Sequence, residues 1–477
     1  MKHLQHYIAG RWVPSIEPAA PFAVINPATE EKVAEISMGS AADADLAVGA
    51  ARAAFPAYAA TSLAERIGHL QRLKAVFERR YDEMVTAIST EMGAPHDLSA
   101  KSQAACGPGH ITATLEAAEQ LDWEVKSGSS ANVVREPVGV CALITPWNWP
   151  VNQLAAKIVP ALLAGCTVVL KPSEQSPLSA QLFAEFIDEA GLPPGVFNMV
   201  HGTGPIVGHA LSTHPEVDMV SFTGSTRAGI SVAKDAADTV KRVAQELGGK
   251  SANIVFADAD LEAAVKRGVL HCFNNSGQSC NAPTRMLVED SVYDRAVEIA
   301  VAMAAKVKVG DPTKPGNHIG PVASRMQFDK IQRYIATGVA EGARLVAGGP
   351  GKPAGFETGY YVRPTVFADV HNQMKIAREE IFGPVLCLLR FKTLEEAIEI
   401  ANDSPFGLGA YVQTGNLAKG RAVARRLRAG SVHLNGAPQD YASPFGGFKQ
   451  SGNGREWGKH GLLEYLESKS INGFYAV

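Results

Sequence analysis

The sequence has 477 residues, which is enough for two large domains or three ordinary ones at about 150 residues per domain. It is 46% hydrophobic and 19% charged, so it can bury a sizeable core and is not disordered as a whole. Its 45 basic and 48 acidic residues balance, which excludes a strongly basic protein that binds nucleic acid or a membrane surface. The composition favours a globular enzyme with no nucleic-acid or membrane partner.

The cysteine content indicates free thiols in a reducing compartment, because there is neither a CxxC pair nor a dense disulfide framework. The N-terminal residues lack the apolar core of a signal peptide. The longest apolar run, 158–170, is shorter than the roughly 20 residues of a membrane span. We therefore expect a cytoplasmic protein with six scattered cysteines: Cys106, Cys141, Cys166, Cys272, Cys280 and Cys387.

The first long helical pattern covers 62–91, where Ser62 and Glu65 predict a capping box and Gly93 predicts the helix end. From residue 139, short apolar strands alternate with helical stretches, which is typical of βαβ units around a mostly parallel sheet. Such sheets bind ligands at the carboxyl ends of their strands. The predicted strands are 140–144, 167–170, 196–200, 217–222 and 252–256, and the predicted helices are 151–164, 177–190, 205–212 and 227–237.

A second alternating set follows and predicts another α/β layer of similar size. Its helices are predicted at 259–275, 291–306, 325–341, 393–402 and 417–427, and its strands at 285–288, 385–389 and 432–434. The Gly/Pro-rich segment 348–355 is interpreted as a surface loop, because strands continue beyond it. Two segments fit neither layer, the polar stretch 121–136 and the tail INGFYAV. They could pair with another subunit, or form a surface hairpin and a frayed end.

Several common catalytic motifs are missing from the sequence. No GxGxxG follows a predicted strand, and GGKS at 248–251 lacks the phosphate-loop glycine at position 244, where Ala244 stands. No GxSxG nucleophile elbow and no pair of histidines or cysteines at zinc spacing occur. These absences weigh against an ATPase, a serine hydrolase and a zinc enzyme.

One cysteine differs from the others in its surroundings. Cys280 lies between Ser279 and Asn281 in a polar loop that is predicted between a helix and a strand. A thiol in such a loop can act as a nucleophile, whereas cysteines flanked by apolar residues are usually inert and buried. His271, the nearest candidate for a histidine base, has no supporting context.

Two further residues could complete a site around this cysteine. Glu246 ends a strand-like segment with apolar neighbours, so it is a candidate general base, although a surface glutamate at a strand end is the simpler interpretation. Asn148 follows a buried strand in the rigid turn TPWNWP, where its amide could stabilise an oxyanion. Taken alone, this turn could equally serve packing.

Together these segments resemble the aldehyde dehydrogenase superfamily over nearly the whole chain. The matching motifs occur in the family's order, and chance agreement of seven is very improbable. They are TPWNWP (145–150), LKPSEQSP (170–177), FTGSTRAG (222–229), ELGGKSAN (246–253), GQSC (277–280), EEIFGPV (379–385) and SPFGGFKQSGNGRE (443–456).

The resemblance implies a covalent mechanism of the hydrolytic type. Cys280 attacks the aldehyde carbon, the Asn148 amide and the Cys280 N–H hold the oxyanion, and hydride transfer to the nicotinamide leaves a thioester. Glu246 then activates water and the acid is released. Lys157 and Glu456 match positions that help to move protons to the base in relatives, or they are an exposed lysine and a structural carboxylate.

The resemblance also implies a nicotinamide cofactor. Glu174 would accept hydrogen bonds from the adenosine ribose and repel a 2′-phosphate, which favours NAD and leaves NADP as an alternative. Gly224 and Ser225 stand at a helix start suited to the pyrophosphate. The complete set of implied cofactor residues is Ile144, Pro146, Trp147, Lys171, Glu174, Gly204, Phe222, Gly224, Ser225, Leu247, Glu380 and Phe382.

The substrate pocket is expected to have a mixed aromatic and polar lining, formed by Trp149, Gln153, Ala156, Ser279, Asn281, Tyr441 and Phe445. It has neither an arginine cluster for a dicarboxylic semialdehyde nor an aromatic box for a quaternary ammonium group. We expect a medium-sized, uncharged aliphatic or aromatic aldehyde. The alternative functions are a CoA-acylating dehydrogenase, against which Glu246 argues, a cofactor-independent cysteine thioesterase, and a non-catalytic protein that retains the fold.

The expected fold is α/β, with two Rossmann-like domains and a small β element for oligomerisation. The cofactor domain would comprise 1–120 and 137–248, and the catalytic domain 249–440. Segments 121–136 and 441–477 would form the oligomerisation element and tail of a homodimer or homotetramer.

Overall fold

Two large β-sheets organise the chain in the computed structural model, which describes residues 2–17 and 19–475. The first sheet has a core of five parallel strands, to which a short antiparallel strand is added at one edge and an antiparallel pair at the other. In spatial order its strands are Gly452–Asn453, Arg242–Glu246, Met219–Thr223, Val140–Ile144, Thr167–Lys171, Phe197–Met199, His6–Ile8 and Arg11–Val13.

The strand order of this sheet reverses at Val140–Ile144. The chain continues from it to Thr167–Lys171 on one side and later to Met219–Thr223 on the other. A ligand crevice forms outside the carboxyl ends of the strands at such a reversal. The turn that contains Asn148 leaves the sheet at this point, as the alternating pattern predicted.

The second sheet is parallel except at one edge, where Arg344–Ala347 runs antiparallel to its neighbour. In spatial order its strands are Arg344–Ala347, Thr365–Ala368, Val385–Phe391, Arg285–Glu289, Ala252–Val255, Gly409–Gln413 and Ser431–Leu434. The two sheets confirm the prediction of two α/β layers. Three strands of this sheet were not predicted: Arg344–Ala347, Thr365–Ala368 and Gly409–Gln413.

Two small sheets complete the β structure. One consists of Lys2–His3, Lys32–Ile36 and Phe22–Ile25, and the other of Leu466–Ile471, Ala131–Pro137 and Glu124–Ser127. The second contains the polar stretch expected to be extended, and its hairpin pairs with the C-terminal strand of the same chain, with Ile471 opposite Asn132. Of the predicted tail, Ala476 and Val477 lie outside the described residues.

Helices cover the sheets, and most of them agree with the predicted stretches. The α-helices are Ala41–Ala59, Leu63–Arg79, Tyr81–Met92, His96–Leu98, Cys106–Glu119, Pro150–Ala164, Pro177–Glu189, His209–Thr213, Thr226–Ala237, Leu261–Phe273, Tyr293–Ala304, Arg325–Ala340, Lys375–Arg378, Leu394–Asn402, Leu417–Ala424 and Gly458–Glu464. The segment predicted as one helix over 205–212 is a π-turn, Gly204–Gly208, followed by a short α-helix. None of the described helices is long and apolar enough to cross a lipid bilayer.

The prediction of one helix over 62–91 is wrong, because the helix breaks at Arg80. The predicted capping box of Ser62 and Glu65 is present, and Gly93 ends the second helix in a left-handed conformation, as predicted. At Arg80 the backbone leaves helical geometry, with ψ of 22°. Its guanidinium contacts Glu185 at 3.0 Å and lies 4.9 Å from the ring centroid of Phe186. These contacts favour a bend around the helix Pro177–Glu189 that the apolar periodicity does not reveal.

The helix Pro150–Ala164 supports the turn that contains Asn148. Pro150 occupies its first position, where a missing N–H costs nothing, and Gly165 ends it in a left-handed conformation. Every residue of this helix except Asn152 is buried. Because it is packed on all sides, the turn before it has a fixed position relative to the sheet.

Candidate active site

Cys280 lies in the loop between the helix Leu261–Phe273 and the strand Arg285–Glu289, as the sequence predicted. It is partly exposed, whereas the other five cysteines are buried. Burial of the thiol raises the pKa of Cys280, and the negative charges of Glu380 and Glu246 raise it further, while the Asn281 N–H opposes them. These effects favour the thiol over the thiolate in the free protein.

The turn that carries Asn148 is joined to the cysteine loop by two hydrogen bonds. The buried side chain of Asn148 donates from Nδ2 to the backbone oxygen of Gln278 at 3.1 Å. The indole N–H of Trp149 donates to the Ser279 hydroxyl at 2.8 Å. Within the described residues, the backbone N–H of Cys280 donates to no acceptor. The structure thus brings the Asn148 amide and a free N–H to the same loop.

Glu246 ends the strand Arg242–Glu246 and is only 4% exposed, so the simpler interpretation of a surface carboxylate does not hold. Neither of its carboxylate oxygens has a hydrogen-bond partner among the described residues. Burial raises the pKa of Glu246 well above its usual value, and the charge of Glu456 adds to this rise, while Lys157 and Arg455 oppose it. A carboxylate with a raised pKa is a stronger proton acceptor than an ordinary glutamate, as a general base requires.

Lys157 and Glu456 form a buried ion pair, in which Nζ of Lys157 contacts Oε1 of Glu456. The same ammonium donates to the Ser221 hydroxyl at 3.1 Å. The interpretation of Lys157 as an exposed helix residue is therefore excluded. Since both charges act on the pKa of Glu246, the pair lies within electrostatic range of that carboxylate.

The carboxyl edge of the first sheet carries the residues expected at the adenosine end of a cofactor. Lys171 is buried, and its Nζ donates to the backbone oxygens of Pro172 and Gly202 at 2.9 and 2.8 Å. Glu174 lies 3.6 Å from this ammonium and is partly exposed. Burial lowers the pKa of Lys171 and Glu174 opposes this effect. Because its side chain is partly exposed, Glu174 can accept hydrogen bonds from a ligand at this edge.

The helix Thr226–Ala237 begins beside this edge. Ser225 caps this helix, because its hydroxyl accepts a hydrogen bond from the Ala228 N–H at 3.3 Å. Ser225 is exposed. A Cβ atom added to Gly224 would lie 2.5 Å from the Phe222 ring, so this approach requires glycine. The hydroxyl of Thr223, at the strand end, is buried without a partner among the described residues. An open helix start and an orphaned hydroxyl fit a ligand with phosphate and hydroxyl groups.

Glu380 and Phe382 come from the loop before the strand Val385–Phe391. Oε1 of Glu380 accepts a hydrogen bond from the Gly249 N–H at 3.0 Å. Phe382 has φ of 63°, a left-handed conformation that is unusual for a bulky residue. Gln327 holds its carbonyl at 2.6 Å, and Trp147 packs edge-on with ring centroids 5.5 Å apart. A strained residue held in this way is typical of functional loops.

The other expected cofactor residues lie at or just after the carboxyl ends of strands in the first sheet. Ile144 lies at the end of the central strand, Pro146 follows it in the turn, and Gly204 starts the π-turn in open space. Leu247 packs against the helix start, where a Cβ atom on Gly229 would lie 2.6 Å from its side chain.

An aromatic cluster contains two of the residues expected near the substrate, Tyr441 and Phe445. Phe445 stacks on Trp457 with centroids 4.8 Å apart, and Tyr441 lies 5.4 Å from the same ring and 4.7 Å from His110. His110 is hydrogen-bonded to Asn152 at 2.8 Å. The sequence motifs did not indicate His110, Asn152 or Trp457. A helical face of mixed polar and apolar residues was the one signal that could have suggested the first two.

Gln153 and Ala156 are buried on the helix Pro150–Ala164, and the side-chain oxygen of Gln153 has no partner among the described residues. A cavity of about 880 Å³ adjoins the site and includes Trp149 and Asn281 in its lining. Its lining contains no Asp or Glu side chain, and three of its residues are cationic: Arg267, Lys306 and Lys308.

A partly exposed cysteine, a tethered amide and a buried unpaired carboxylate are an arrangement for covalent catalysis on a carbonyl group. Within residues 2–17 and 19–475, no three His, Cys, Asp or Glu side chains are grouped to hold a metal ion. The profile of the Aldehyde dehydrogenase family matches residues 12–471, and the chain belongs to this family. It is an oxidoreductase that oxidises aldehydes.

Similar proteins match nearly the whole chain. A 3-succinoylsemialdehyde-pyridine dehydrogenase from Pseudomonas sp is 55% identical over 471 residues, which cover 98% of each chain. A crystal structure of aldehyde dehydrogenase from Bartonella henselae is 51% identical, with a TM-score of 0.97 and 99% of each chain covered. A mutant of aldehyde dehydrogenase C from Pseudomonas syringae, in complex with NAD+ and octanal, is 51% identical, with a TM-score of 0.98 and coverage of 99% of this chain and 97% of that one.

Proposed function

We propose that the protein is an NAD-dependent, hydrolytic aldehyde dehydrogenase that uses Cys280 as its nucleophile. The observation that carries this proposal is the group formed by Cys280, the tethered amide of Asn148 and the buried carboxylate of Glu246. The cofactor domain comprises 1–120 and 137–248, and the catalytic domain comprises 249–440.

The residues at the crevice fit a nicotinamide dinucleotide. The partly exposed Glu174 suits ribose hydroxyls and would repel a 2′-phosphate, so NAD is favoured over NADP. Ser225 and the start of its helix suit a pyrophosphate, and Glu380 and Phe382 suit the second ribose and the ring. NAD+, when bound, supplies the hydride acceptor for the aldehyde carbon and a positive ring that favours the Cys280 thiolate.

In the first half of the reaction, the thiol of Cys280 loses its proton to solvent and its sulfur bonds to the aldehyde carbon. The carbonyl π bond breaks, and the oxygen becomes an oxyanion that accepts hydrogen bonds from the Asn148 amide and the Cys280 N–H. After oxidation of this carbon, the substrate is held as a thioester on Cys280.

In the second half, Glu246 accepts a proton from water, whose oxygen attacks the thioester carbon and displaces the Cys280 sulfur. The product is a carboxylic acid. The buried pair of Lys157 and Glu456 sets the charge around Glu246, and the Glu456 carboxylate receives the proton from it, because the Lys157 ammonium is a donor only. A carboxylate without hydrogen bonds suits this role, because no donor competes for its lone pairs.

The substrate is a medium-sized, uncharged aliphatic or aromatic aldehyde. The aromatic cluster of Tyr441, Phe445 and Trp457 offers apolar contact. The adjoining cavity lacks carboxylates and is lined by Arg267 and Lys306, which disfavours a cationic aldehyde. The octanal complex of the P. syringae relative agrees with this assignment.

The experiment that tests the function is a panel of aldehydes supplied with NAD+ or NADP+. Octanal and NAD+ should give NADH and octanoate without added CoA, and an aldehyde with a quaternary ammonium group should react about tenfold less efficiently. An absorbance increase that depends on CoA would identify an acylating enzyme. If no aldehyde gives NADH or NADPH, the protein is not a nicotinamide-dependent dehydrogenase.

We also infer that copies of the chain associate through segments 121–136 and 441–477, as a homodimer or homotetramer in the cytoplasm. The strand Glu124–Ser127 is exposed at the edge of its sheet, and exposed strand edges readily pair with another chain. The six unpaired cysteines fit a reducing compartment. Light scattering with a Val125→Pro variant tests the association, because proline disturbs the strand edge with which another chain would pair.

A further inference from the structure

The chain adopts three consecutive left-handed residues just before the nucleophile. The φ angles are 53° at Asn275, 54° at Ser276 and 73° at Gly277. Glycine is required at the third position, because an added Cβ atom would lie 2.1 Å from the carbonyl of Gly383. Asparagine and serine in this conformation are strained, and such strain persists where surrounding contacts hold it.

The side chain of Asn275 makes the contacts that hold this segment against the oxyanion site. Its Nδ2 donates to the backbone oxygen of Asn148 at 2.9 Å and to that of Gln278 at 3.2 Å. Its Oδ1 accepts a hydrogen bond from Nε2 of Gln103 at 2.9 Å. Asn275 and Gln103 are 2% and 1% exposed, so these bonds are made away from solvent.

The backbone oxygen of Gln278 is shared by two amides. It accepts one hydrogen bond from Asn148 and one from Asn275, which occupies both of its lone pairs. Asn275 therefore fixes the backbone of Asn148 and also the acceptor that orients the Asn148 side chain. One N–H of the Asn148 amide is committed to this acceptor, and its direction determines where the second N–H points.

Neutral hydrogen bonds from a further segment hold the same loop. The Gln278 side chain accepts a hydrogen bond from the Ala323 N–H at 2.9 Å and donates one to the backbone oxygen of Asn275 at 3.1 Å. The Ser276 hydroxyl donates to the Gly320 oxygen at 2.7 Å. The loop is consequently held from two sides, and its Asn275 side chain bonds to the backbone of Asn148 itself, whereas the Ser279 hydroxyl bonds to the neighbouring Trp149.

We propose that Asn275 is a positioning residue for the oxyanion site, which it builds by directing the free N–H of the Asn148 amide. This inference rests on the proposed function, because it assigns Asn275 an effect that passes through Asn148. Gln103 supports it by holding Oδ1 of Asn275, which keeps Nδ2 turned toward the two backbone oxygens.

The test is a double-mutant cycle on Asn275→Gly and Asn148→Ala with octanal and NAD+. Glycine accepts the left-handed backbone, so the first variant removes the side chain and leaves the turn allowed. Asn275→Gly should lower kcat/KM about 10- to 100-fold, because the oxyanion donor is misdirected. In the Asn148→Ala background the same change should cost less than about threefold, since its target is gone.

Two readouts separate this role from a general effect on folding. NAD+ affinity and the rate of Cys280 alkylation by iodoacetamide should not change in Asn275→Gly, because neither requires an oxyanion. Asn435→Gly is the matched control, since Asn435 has φ of 51° and its amide bonds to the backbone of Thr414 at 2.9 and 3.0 Å. This control should retain the wild-type kcat/KM.

The outcomes distinguish a failure of the role of Asn275 from a failure of the oxyanion role of Asn148. If Asn148→Ala is slow and Asn275→Gly costs the same factor in both backgrounds, Asn275 does not act through Asn148 and the inference is overturned. If Asn148→Ala has a normal rate, the oxyanion role in the proposed function fails as well. Should Asn275→Gly not fold, Gln103→Leu replaces it in the cycle, with an expected loss of about three- to tenfold in kcat/KM.

Discussion

Asn148 and Glu246 serve the two halves of the proposed reaction, and the protein holds them in different ways. Asn148 is fixed by hydrogen bonds between neutral groups, from its own amide and from that of Asn275. The carboxylate of Glu246 has no hydrogen bond within the described chain, and its pKa depends on burial and on the charges of Glu456 and Lys157. The hydrogen bonds around Asn148 should therefore be insensitive to pH, whereas Glu246 should titrate at a higher pH than an ordinary glutamate.

Replacing the nucleophile should have the largest effect, because both halves depend on it. Cys280→Ala should lower the rate of NADH formation by about 10⁴-fold or more while NAD+ still binds, as measured by steady-state absorbance and calorimetry. Cys387→Ala is the matched control, since Cys387 is buried in the second sheet. A Cys280→Ala variant that oxidises octanal at the wild-type rate would reject the covalent route.

Replacing the base should separate the two halves. Glu246→Gln should release NADH in the first turnover at a nearly normal rate, and then slow about 10²- to 10⁴-fold as the thioester persists. Rapid-mixing absorbance shows this burst, and mass spectrometry shows the acyl group on Cys280. Glu289→Gln is the control, because Glu289 ends a strand of the second sheet and accepts a hydrogen bond from Ala257 at 2.8 Å. Equal loss of burst and steady state would place Glu246 in the first half instead.

The contrast between the two groups also marks what the sequence could predict. Cys280, Glu246 and Asn148 each lie in a short motif whose local pattern indicates a loop, a strand end and a rigid turn, and the structure places them so. The contact between Gln103 and Asn275 joins residues 172 positions apart, and no local periodicity records such a pair. The helix break at Arg80 was not predicted for a related reason. The apolar spacing continues through Arg80, while a tertiary contact bends the chain there.

Long-range charge is equally hidden from sequence patterns. Lys157 looks like a helix-surface residue by composition, yet it is buried against Glu456, which is 299 positions away. The Rossmann-like layers were predictable because each strand and helix has its own apolar period. Local periodicity does not reveal the groups that tune the site, because their spacing is set by the packed fold, and only the family resemblance pointed to Lys157 and Glu456.

The smallest predicted effect is a shift in the pH dependence of turnover. Its direction is opposite for substitutions of Lys157 and of Glu456, the two members of the buried pair. Glu246 acts as a base when it is deprotonated, and its pKa is raised, so steady-state turnover should fall as pH decreases through that pKa. Lys157 lowers the pKa of Glu246 and Glu456 raises it. Lys157→Met should therefore move the acidic fall in kcat to higher pH, and Glu456→Gln should move it to lower pH. Each shift should be roughly half a pH unit to one unit.

This pair of variants tests whether charge, rather than shape, governs the base. The measurement is kcat for octanal against pH, with the first-turnover burst recorded at each pH as the reference. The burst has its own pH dependence, because Cys280 must lose a proton before it attacks. It should keep the wild-type pH profile in Lys157→Met and move to lower pH in Glu456→Gln, since the charge of Glu456 raises the pKa of Cys280. If the acidic fall in kcat shifts in the same direction in both variants, the two substitutions act by disturbing the packing around Glu246 and not by removing opposite charges.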